Sequence, residues 1–367
     1  RSGLQAVLSV VDDLLAYTSR RLRNRIAQLS DGAYTCTSYL DDDGQGGDPV
    51  PITVTAHIDG EALILDFEGT SLQARGAMNV PESALRATVY YSIKTLLDPN
   101  LPPNGGMFEA VEIAAPEGCL VNPRHPAAVG ARSITCNKVA RAIFGAFAPL
   151  LPDKAVMAAG HDSIPAIVFS GERRGDAGPF VYLETVGGGS GARSDTDGMD
   201  AVHVHLTNTS NLPAEALEHE YPLLVDEYAL VPDSGGAGTQ RGGVGIARQI
   251  SAMQDDIIFS IRSDSHVIGA PGVFGGGEGG TADLIRNADE LNWESLSSKV
   301  SHIELREGDS MRLETAGGGG YGPPADRALV ALGADLQDGL VSRQKAEQDY
   351  GSDMVCRALQ DTEGEWE

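Results

Sequence analysis

A run of glycine residues in the middle of the chain restricts the possible structures more than any other feature. Four glycines fall within five positions, at Gly187, Gly188, Gly189 and Gly191. Such a run forms no regular element, because each glycine loses much backbone entropy when it is ordered. Glycine does allow positive φ angles and a close approach of N–H groups to an anion or another backbone. We therefore predict a loop, which could serve as a binding loop or as a tight turn between two strands.

Three further glycine loops follow, at 234–245, 273–280 and 317–322. The chain contains 45 glycines, and Phe, Tyr and Trp together make up only 5% of it. This composition favours a loop-rich, largely β architecture over a helical bundle. We predict an α+β fold that is β-rich, with antiparallel sheets, Gly-rich loops and a few packed helices.

The spacing of apolar residues predicts the order of the elements. Helical intervals predict a helix over 4–29, and alternation predicts a three-stranded antiparallel meander over 34–67. The segments 247–253 and 257–263 are predicted to form a hairpin. We expect three parts: a helix, meander and further helices, then a β-rich part with the glycine loops, then a short helical tail, at 1–155, 156–325 and 326–367.

The charge of the chain excludes some classes of partner. A formal net charge of −25 argues against nucleic acid or an anionic membrane as a partner. No apolar run reaches the roughly 18 residues of a membrane span. The four cysteines show no close pairing, so a metal knuckle or redox pair is not expected. These features predict a cytoplasmic protein with reduced cysteines.

Two histidines mark the first candidate site. The alternation from Ala201 to Leu206 predicts a strand with His203 and His205 on one face. Two imidazoles on one face could bind a common metal, with a third ligand from the His161-Asp162 pair. The alternative is a hydrogen-bonded wall of a pocket.

Two arginines mark the second candidate site. Arg193 ends the first glycine loop and Arg241 lies within the second. A guanidinium in such a place suits a carboxylate or a phosphorylated oxygen. The alternative is that both arginines hold the loops by bonding backbone carbonyls. Glu184, directly before the first loop, could orient Arg193 or a histidine.

Two common catalytic motifs do not occur in the sequence. No Gly-Lys-Ser or Gly-Lys-Thr of a phosphate-binding P-loop is present. The Gly-Gly-Ser-Gly run at 188–191 is not followed by a helical pattern, as a serine-hydrolase elbow would be. We therefore do not expect a P-loop ATP site or a serine hydrolase.

Five motifs, in one order, carry a resemblance to a known family. They are ETVGGGSGAR, VHVHLTNT, EALEHEYPL, SGGAGTQRGGVG and ETAGGGGYGPP, which begin at positions 184, 202, 215, 234 and 314. Together they resemble the B-type component of the hydantoinase B/oxoprolinase family, from about Gly3 to Gly351. That family includes ATP-dependent N-methylhydantoinases, 5-oxoprolinases, and the acetone and acetophenone carboxylases.

The resemblance implies a partner and two cofactors. A hydantoinase A-type partner subunit would bind ATP and phosphorylate a lactam or imide oxygen, and the B-type subunit would open the ring. A divalent metal such as Zn or Mn would be held by an N-terminal portion of the family that aligns before this chain. We expect that portion to be a companion chain, a cleaved or disordered piece, or missing. No metal ligand is expected within the chain itself.

In this interpretation the glycine loops and nearby polar residues line the pocket or the subunit interface. Four residues are predicted to be catalytic: Glu184, Arg193, His203 and His205. Five are predicted to bind substrate: Gly188, Gly189, Gly191, Asn208 and Arg241. Two alternatives stay open, namely a subunit of a ketone carboxylase that uses ATP and bicarbonate, and a non-catalytic scaffold subunit.

Overall fold

The structure is a computed structural model that describes residues 3–151, 157–173, 178–287, 291 and 293–363. These residues form seven α-helices and three sheets, with 28% of the chain helical and 26% in strands. The predicted α+β class is confirmed. Within the described residues, no helix is both long enough and apolar enough to cross a membrane. The chain divides into two compact units, Arg1–Val156 (unit 1) and Met157–Glu367 (unit 2).

Unit 1 combines a mixed four-stranded sheet with three helices. Its helices and strands, in chain order, are α1 Leu4–Ile26, β1 Gly32–Leu40, β2 Val50–Asp59, β3 Ala62–Asp66, α2 Glu82–Leu97, β4 Val111–Ala114 and α3 Arg132–Phe147. The sheet order is β1-β2-β3-β4. The first three strands are antiparallel, which confirms the predicted meander, and β4 adds to β3 in parallel.

The buried face of this sheet follows the alternation of β2. Ile52, Val54 and Ala56 are fully buried, and helix α3 packs against β1 and β2. Helix α1 forms where its apolar spacing predicts, but it ends at Ile26. Its apolar residues are buried only in the second half, whereas Leu4 is 76% exposed. The helical period therefore predicted the element correctly but overestimated how much of it is buried.

Unit 2 contains two antiparallel sheets and four helices. Its elements are β5 Ala166–Glu172, β6 Pro179–Thr185, α4 Ala214–Glu220, β7 Leu223–Val231, β8 Gly245–Ala252, β9 Ile257–Arg262, β10 Asp283–Arg286, β11 Glu294–Ser295, β12 Lys299–Leu305, β13 Ser310–Glu314, α5 Leu329–Gln337, α6 Arg343–Tyr350 and α7 Ser352–Glu363. The four-stranded sheet has the order β12-β9-β5-β6, and the five-stranded sheet has the order β11-β10-β13-β8-β7.

One apolar cluster contains residues of both sheets, so the sheets pack face to face as a sandwich. Phe169 and Phe259 of the four-stranded sheet meet edge to face, with ring centroids 5.0 Å apart. Ile250 and Leu313 of the other sheet belong to the same cluster. The predicted hairpin of 247–253 and 257–263 is wrong, because β8 and β9 lie in different sheets. Alternation identified both strands but carried no information on which strands pair.

The four glycine loops of unit 2 bond to one another through their backbones. We call the segments 187–192, 234–245, 270–280 and 316–322 the glycine bundle. The N–H of Gly189 donates to Ala316 O at 3.0 Å, and that of Gly318 donates to Gly243 O at 2.8 Å. Gly320 donates to Gly277 O at 2.9 Å. The bundle is therefore a packed layer of peptide groups and not a set of open turns.

Close backbone approach explains why glycine occurs in the bundle. A Cβ on Gly318 would lie 1.9 Å from Ser190 O, and one on Gly189 would lie 1.9 Å from Gly243 O. Both distances are far below any contact that a real side chain makes. Among the glycines of the bundle, only Gly275 and Gly322 have a positive φ angle, which is the other use of glycine.

The last three helices pack on a small apolar core of their own. It consists of Leu332, Val341, Ala346, Val355 and Ala358. All three helices lie within 326–367, the range for which a short helical tail was predicted.

Candidate functional site

The segment from Ala201 to Leu206 is not a strand, so the predicted shared face of His203 and His205 does not exist. Val202 makes only an isolated bridge with Gly188. His205 has a φ of 56°, in the left-handed region, which breaks the alternation of side chains. The two imidazoles therefore have separate surroundings and separate partners.

Buried polar residues gather at one end of the four-stranded sheet, which we call the polar end. Ala166 at the start of β5 lies opposite both Thr185 and Arg262, and Lys299 also pairs with Arg262. Four chain segments therefore meet at this end of the sheet: the two that precede β5 and β12, and the two that follow β6 and β9. They contribute the buried residues His161, Asp162, Ser163, Ser263, Asp264, Ser265 and Ser298.

His205 forms a buried pair with Asp162 at the polar end. Its Nε2 lies 2.9 Å from Asp162 Oδ1, and the two side chains are 2% and 3% exposed. Both residues have positive φ angles, 56° for His205 and 38° for Asp162. A carboxylate on one ring nitrogen fixes the orientation and tautomer of an imidazole. Strained backbone of this kind persists only where the surrounding structure holds it, as it does at functional sites.

A second buried pair, Asp264 with Lys299, lies at the same end. Lys299 Nζ is 2.9 Å from Asp264 Oδ1 and 3.2 Å from Ser298 Oγ. The hydroxyl of Ser265 donates to the His161 carbonyl at 3.1 Å, which joins the segments that carry the two pairs. Asp264 and Lys299 were not predicted from the sequence, because they are 35 residues apart and show no local motif.

His203 points to a different set of polar groups. Its Nε2 is 3.1 Å from Thr209 Oγ1, and that oxygen is 2.7 Å from Thr185 Oγ1. Burial lowers the pKa of His203 below its usual value of 6.5. The ring is therefore neutral at neutral pH. Its Nδ1 is buried and makes no hydrogen bond within the described part of the chain.

Glu184 lies in the sandwich core and contacts Arg248, not Arg193 or a histidine. Its carboxylate oxygens are both 3.3 Å from nitrogens of the Arg248 guanidinium. The two side chains are 3% and 0% exposed. Arg248 lies on the inner face of β8 and also stacks on the ring of Tyr228, with 4.6 Å between Cζ and the ring centroid. This pair joins the two sheets, and no sequence pattern marked Arg248 as its second member.

Arg241 belongs to a buried charge cluster in unit 2. Its guanidinium lies 3.1 Å from Asp335 and 3.1 Å from Asp200. Arg327 completes the cluster by binding both oxygens of Asp197 at 2.8 Å. Burial alone would raise the pKa of Asp197, but the bonds and charge of Arg327 outweigh it, and the pKa is lowered. Arg241 thus holds loop segments together through acids as well as through the Gly242 carbonyl.

The other predicted site residues are split between the surface and the glycine bundle. Arg193 and Asn208 are exposed, and within the described residues no acid pairs with the Arg193 guanidinium. Gly188 and Gly189 donate their N–H groups to Val202 O and Ala316 O, and a Cβ on Gly191 would lie 1.9 Å from Ala158 O. These three glycines are packed against backbone.

The potential metal ligands among the described residues are too dispersed to form a metal site. Among them, no group of three or more His, Cys, Asp and Glu side chains lies close enough together to hold a metal ion. His203 is bonded to Thr209, and His205 is bonded to Asp162. The suggested shared metal between the two histidines is therefore not supported by their geometry.

Comparison with known proteins places the chain among relatives. A family model described as hydantoinase B/oxoprolinase matches residues 1–324. The B-type subunit of a putative D-/L-hydantoinase from Pseudomonas sp. strain NS671 is 33% identical over 361 residues, which cover 95% of this chain and 60% of that protein. The 5-oxoprolinase 1 of Arabidopsis thaliana is 30% identical, over 77% of this chain and 21% of that protein.

Two solved structures share the fold. The ATP-dependent caprolactamase from Pseudomonas jessenii superposes with a TM-score of 0.84 at 25% identity, covering 95% of this chain and 62% of that one. Acetone carboxylase superposes with a TM-score of 0.80 at 17% identity, covering 95% of this chain and 55% of that one, which is a likeness of fold alone. The chain thus spans less than two thirds of each of these relatives. The match over residues 1–324 confirms the resemblance of the five motifs, and the chain belongs to the hydantoinase B/oxoprolinase family.

Proposed function

We propose that this chain is the B-type subunit, or a large part of it, of an ATP-dependent cyclic amide hydrolase. It would open a hydantoin or lactam ring after activation by an ATP-binding A-type subunit. The observation that carries the proposal is family membership over residues 1–324, together with 33% identity to the B-type subunit of a putative hydantoinase. The fold shared with an ATP-dependent caprolactamase at 25% identity supports the same reaction class.

The chemistry requires a base and a group that binds negative charge. A lactam carbonyl is a poor electrophile, and a phosphoryl group from ATP on its oxygen makes the ring carbon more reactive. Water oxygen then bonds to that carbon as its proton passes to a base. The ring nitrogen takes up a proton and leaves as an amine, which gives an acyl phosphate. A second water then hydrolyses the acyl phosphate to a carboxylate and inorganic phosphate. The divalent metal implied by the family finds no ligand group in the described residues, so no step is assigned to it.

His203 suits the role of the base. Burial lowers the pKa of its imidazole, so the ring is neutral and able to accept a proton at neutral pH. Its Nε2 contacts the exposed hydroxyl of Thr209, which links the ring to the surface. His205 lies two residues away and is fixed by Asp162, so we assign it to orienting this segment. The exposed guanidinium of Arg193 suits a phosphorylated oxygen of the activated ring.

ATP turnover by the complex of this chain with its co-purifying ATP-binding subunit tests the proposal. We expect turnover to be stimulated by at least one of hydantoin, 5-oxoproline or caprolactam. The variant His203→Gln is expected to lower this turnover at least about 10-fold, since general-base catalysis contributes a factor of that order or more. His57→Gln, at an exposed histidine of β2, is the matched control and should retain activity.

Other outcomes would favour the alternatives. Label from bicarbonate in a β-keto acid, without amide hydrolysis, would replace the proposal with a ketone carboxylase. No ATP turnover with any substrate of either class would favour a scaffold subunit. In that case Arg193→Ala should leave the complex and its other properties unchanged.

A further inference from the structure

A continuous line of contacts runs from the sandwich core to His203. It begins at the buried Glu184–Arg248 pair and passes through the ring of Tyr228, which lies on the Arg248 guanidinium. The Tyr228 hydroxyl donates to Asn211 Oδ1 at 2.8 Å. Beyond Asn211 the line continues through Thr185 and Thr209 to the imidazole.

Packing inside the sandwich holds Arg248, at the core end of this line of contacts, in place. Arg248 is 1% exposed, and its strand β8 lies between β13 and β7 in the five-stranded sheet. Tyr228 is 53% exposed and lies on the edge strand β7. Its ring combines an apolar face, which stacks on a cation, with a polar tip that needs a partner. Stacking on a buried guanidinium therefore fixes the place where the hydroxyl meets Asn211.

The other end of the line belongs to a segment with no regular structure. Residues 206–213 form neither helix nor strand, so side-chain bonds must set their position. Asn211 Nδ2 donates to the Thr185 carbonyl at 3.0 Å, and Thr209 Oγ1 lies 2.7 Å from Thr185 Oγ1. Both contacts reach the last residue of β6. Thr209 in turn contacts His203 Nε2 at 3.1 Å.

We propose that Tyr228 is a positioning residue, which acts through Asn211 to hold the segment 203–211 and hence the imidazole of His203. Tyr228 does not touch the reacting atoms. The part of this inference that concerns turnover rests on the proposed function, whereas the part that concerns the orientation of His203 does not. Without the phenolic hydroxyl, Asn211 loses one of its two bonds, and the contacts of Thr185 with the segment loosen.

The variant Tyr228→Phe removes the hydroxyl and keeps the ring on Arg248. Selective labelling of histidines with nitrogen-15 reports the tautomer of His203, whose signal is assigned by its absence in His203→Gln. We expect Tyr228→Phe and Asn211→Ala to change the His203 nitrogen shifts in the same direction. The double variant should change them no further than either single variant. Tyr39→Phe, at an exposed tyrosine of β1, is the matched control and should change nothing.

Activity of the complex gives the second readout. We expect Tyr228→Phe to lower kcat about 3- to 10-fold, as the loss of one hydrogen bond does, with KM changed less than about 2-fold. Unchanged His203 shifts in Tyr228→Phe overturn the inference, whether or not the complex is active. Changed shifts in a complex without amide hydrolysis support the positioning of His203 and reject the proposed function alone.

Discussion

The Glu184 carboxylate and the Arg248 guanidinium meet between the two sheets of unit 2, with 3.3 Å between Oε2 and Nε. Each comes from a different sheet, and both side chains are almost fully buried. Buried ion pairs of this kind contribute little net stability, but the loss of one member leaves the other charge buried and unpaired. The pair therefore determines how the sandwich tolerates substitution.

Removal of Glu184 should strongly destabilise the protein. We expect Glu184→Ala to lower the free energy of unfolding by about 3–5 kcal/mol, because Arg248 loses its carboxylate. The double variant Glu184→Leu with Arg248→Met should recover much of this loss, since an apolar pair replaces the charges. Urea denaturation measures both. Glu82→Ala, which breaks an exposed helical pair with Arg86, is the control and should cost less than about 1 kcal/mol. Equal effects of Glu184→Ala and Glu82→Ala would refute this account.

Alanine in the glycine bundle should be poorly tolerated. Gly318→Ala places a Cβ 1.9 Å from Ser190 O, so the backbone must move. We expect a loss of at least about 3 kcal/mol in the free energy of unfolding, or no folded protein. Gly105→Ala is the control, because its Cβ would meet Leu15 Cδ2 at an ordinary 3.6 Å. A Gly318→Ala protein as stable as Gly105→Ala would show that the bundle is not closely packed.

The two arginines of the glycine loops should respond differently to substitution. Arg241→Ala removes the cation that bonds to Asp335 and Asp200, although Asp335 keeps Arg327 as a partner. We expect a loss of about 1–3 kcal/mol in the free energy of unfolding. Arg193→Ala removes an exposed cation and should change stability by no more than about 0.5 kcal/mol. Thermal or urea denaturation of the two variants measures both changes in stability. A large loss of stability in Arg193→Ala would mean that its guanidinium holds the loop.

The free energy of unfolding should fall as the pH is lowered through the range in which His203 takes up a proton. Burial lowers the pKa of His203 below 6.5 in the folded state, so the unfolded state binds the proton more readily. This contribution to stability is fully present above about pH 6.5 and is lost as pH falls through the folded pKa. We expect His203→Gln to lose less stability between about pH 7.5 and about pH 5.5 than the unaltered protein. A His203→Gln protein that keeps the original pH dependence would contradict the assignment.

Local sequence patterns predicted where the helices and strands form better than they predicted which strands pair. The helical spacing of α1 and the alternation of β1 to β3 are properties of neighbouring residues, and both elements form as predicted. The turn at 254–256 follows the same local rules, yet it links two different sheets. Whether a turn closes a hairpin depends on contacts far along the chain, which alternation does not encode.

Local sequence patterns were a poorer guide still to the candidate site, which also depends on contacts far along the chain. Val202, His203 and Val204 alternate like a strand, but the left-handed backbone at Ala201 and His205 breaks the pattern. Those angles are held by tertiary contacts such as the His205–Asp162 pair. The five motifs correctly identified the family. They include glycines that the closely packed backbone of the glycine bundle requires. The roles predicted for individual site residues stay predictions, and Asp264 and Lys299 gave no local signal.

The glycine bundle also affects how the stability of unit 2 depends on temperature. Much of what it removes from water is peptide N–H and C=O instead of aliphatic side chain. Exposure of polar groups lowers the heat capacity increment of unfolding, whereas exposure of apolar groups raises it. Unit 2 should therefore have a flatter free-energy curve against temperature than a sandwich of equal size with a conventional core. Its folded state would be correspondingly less sensitive to cooling.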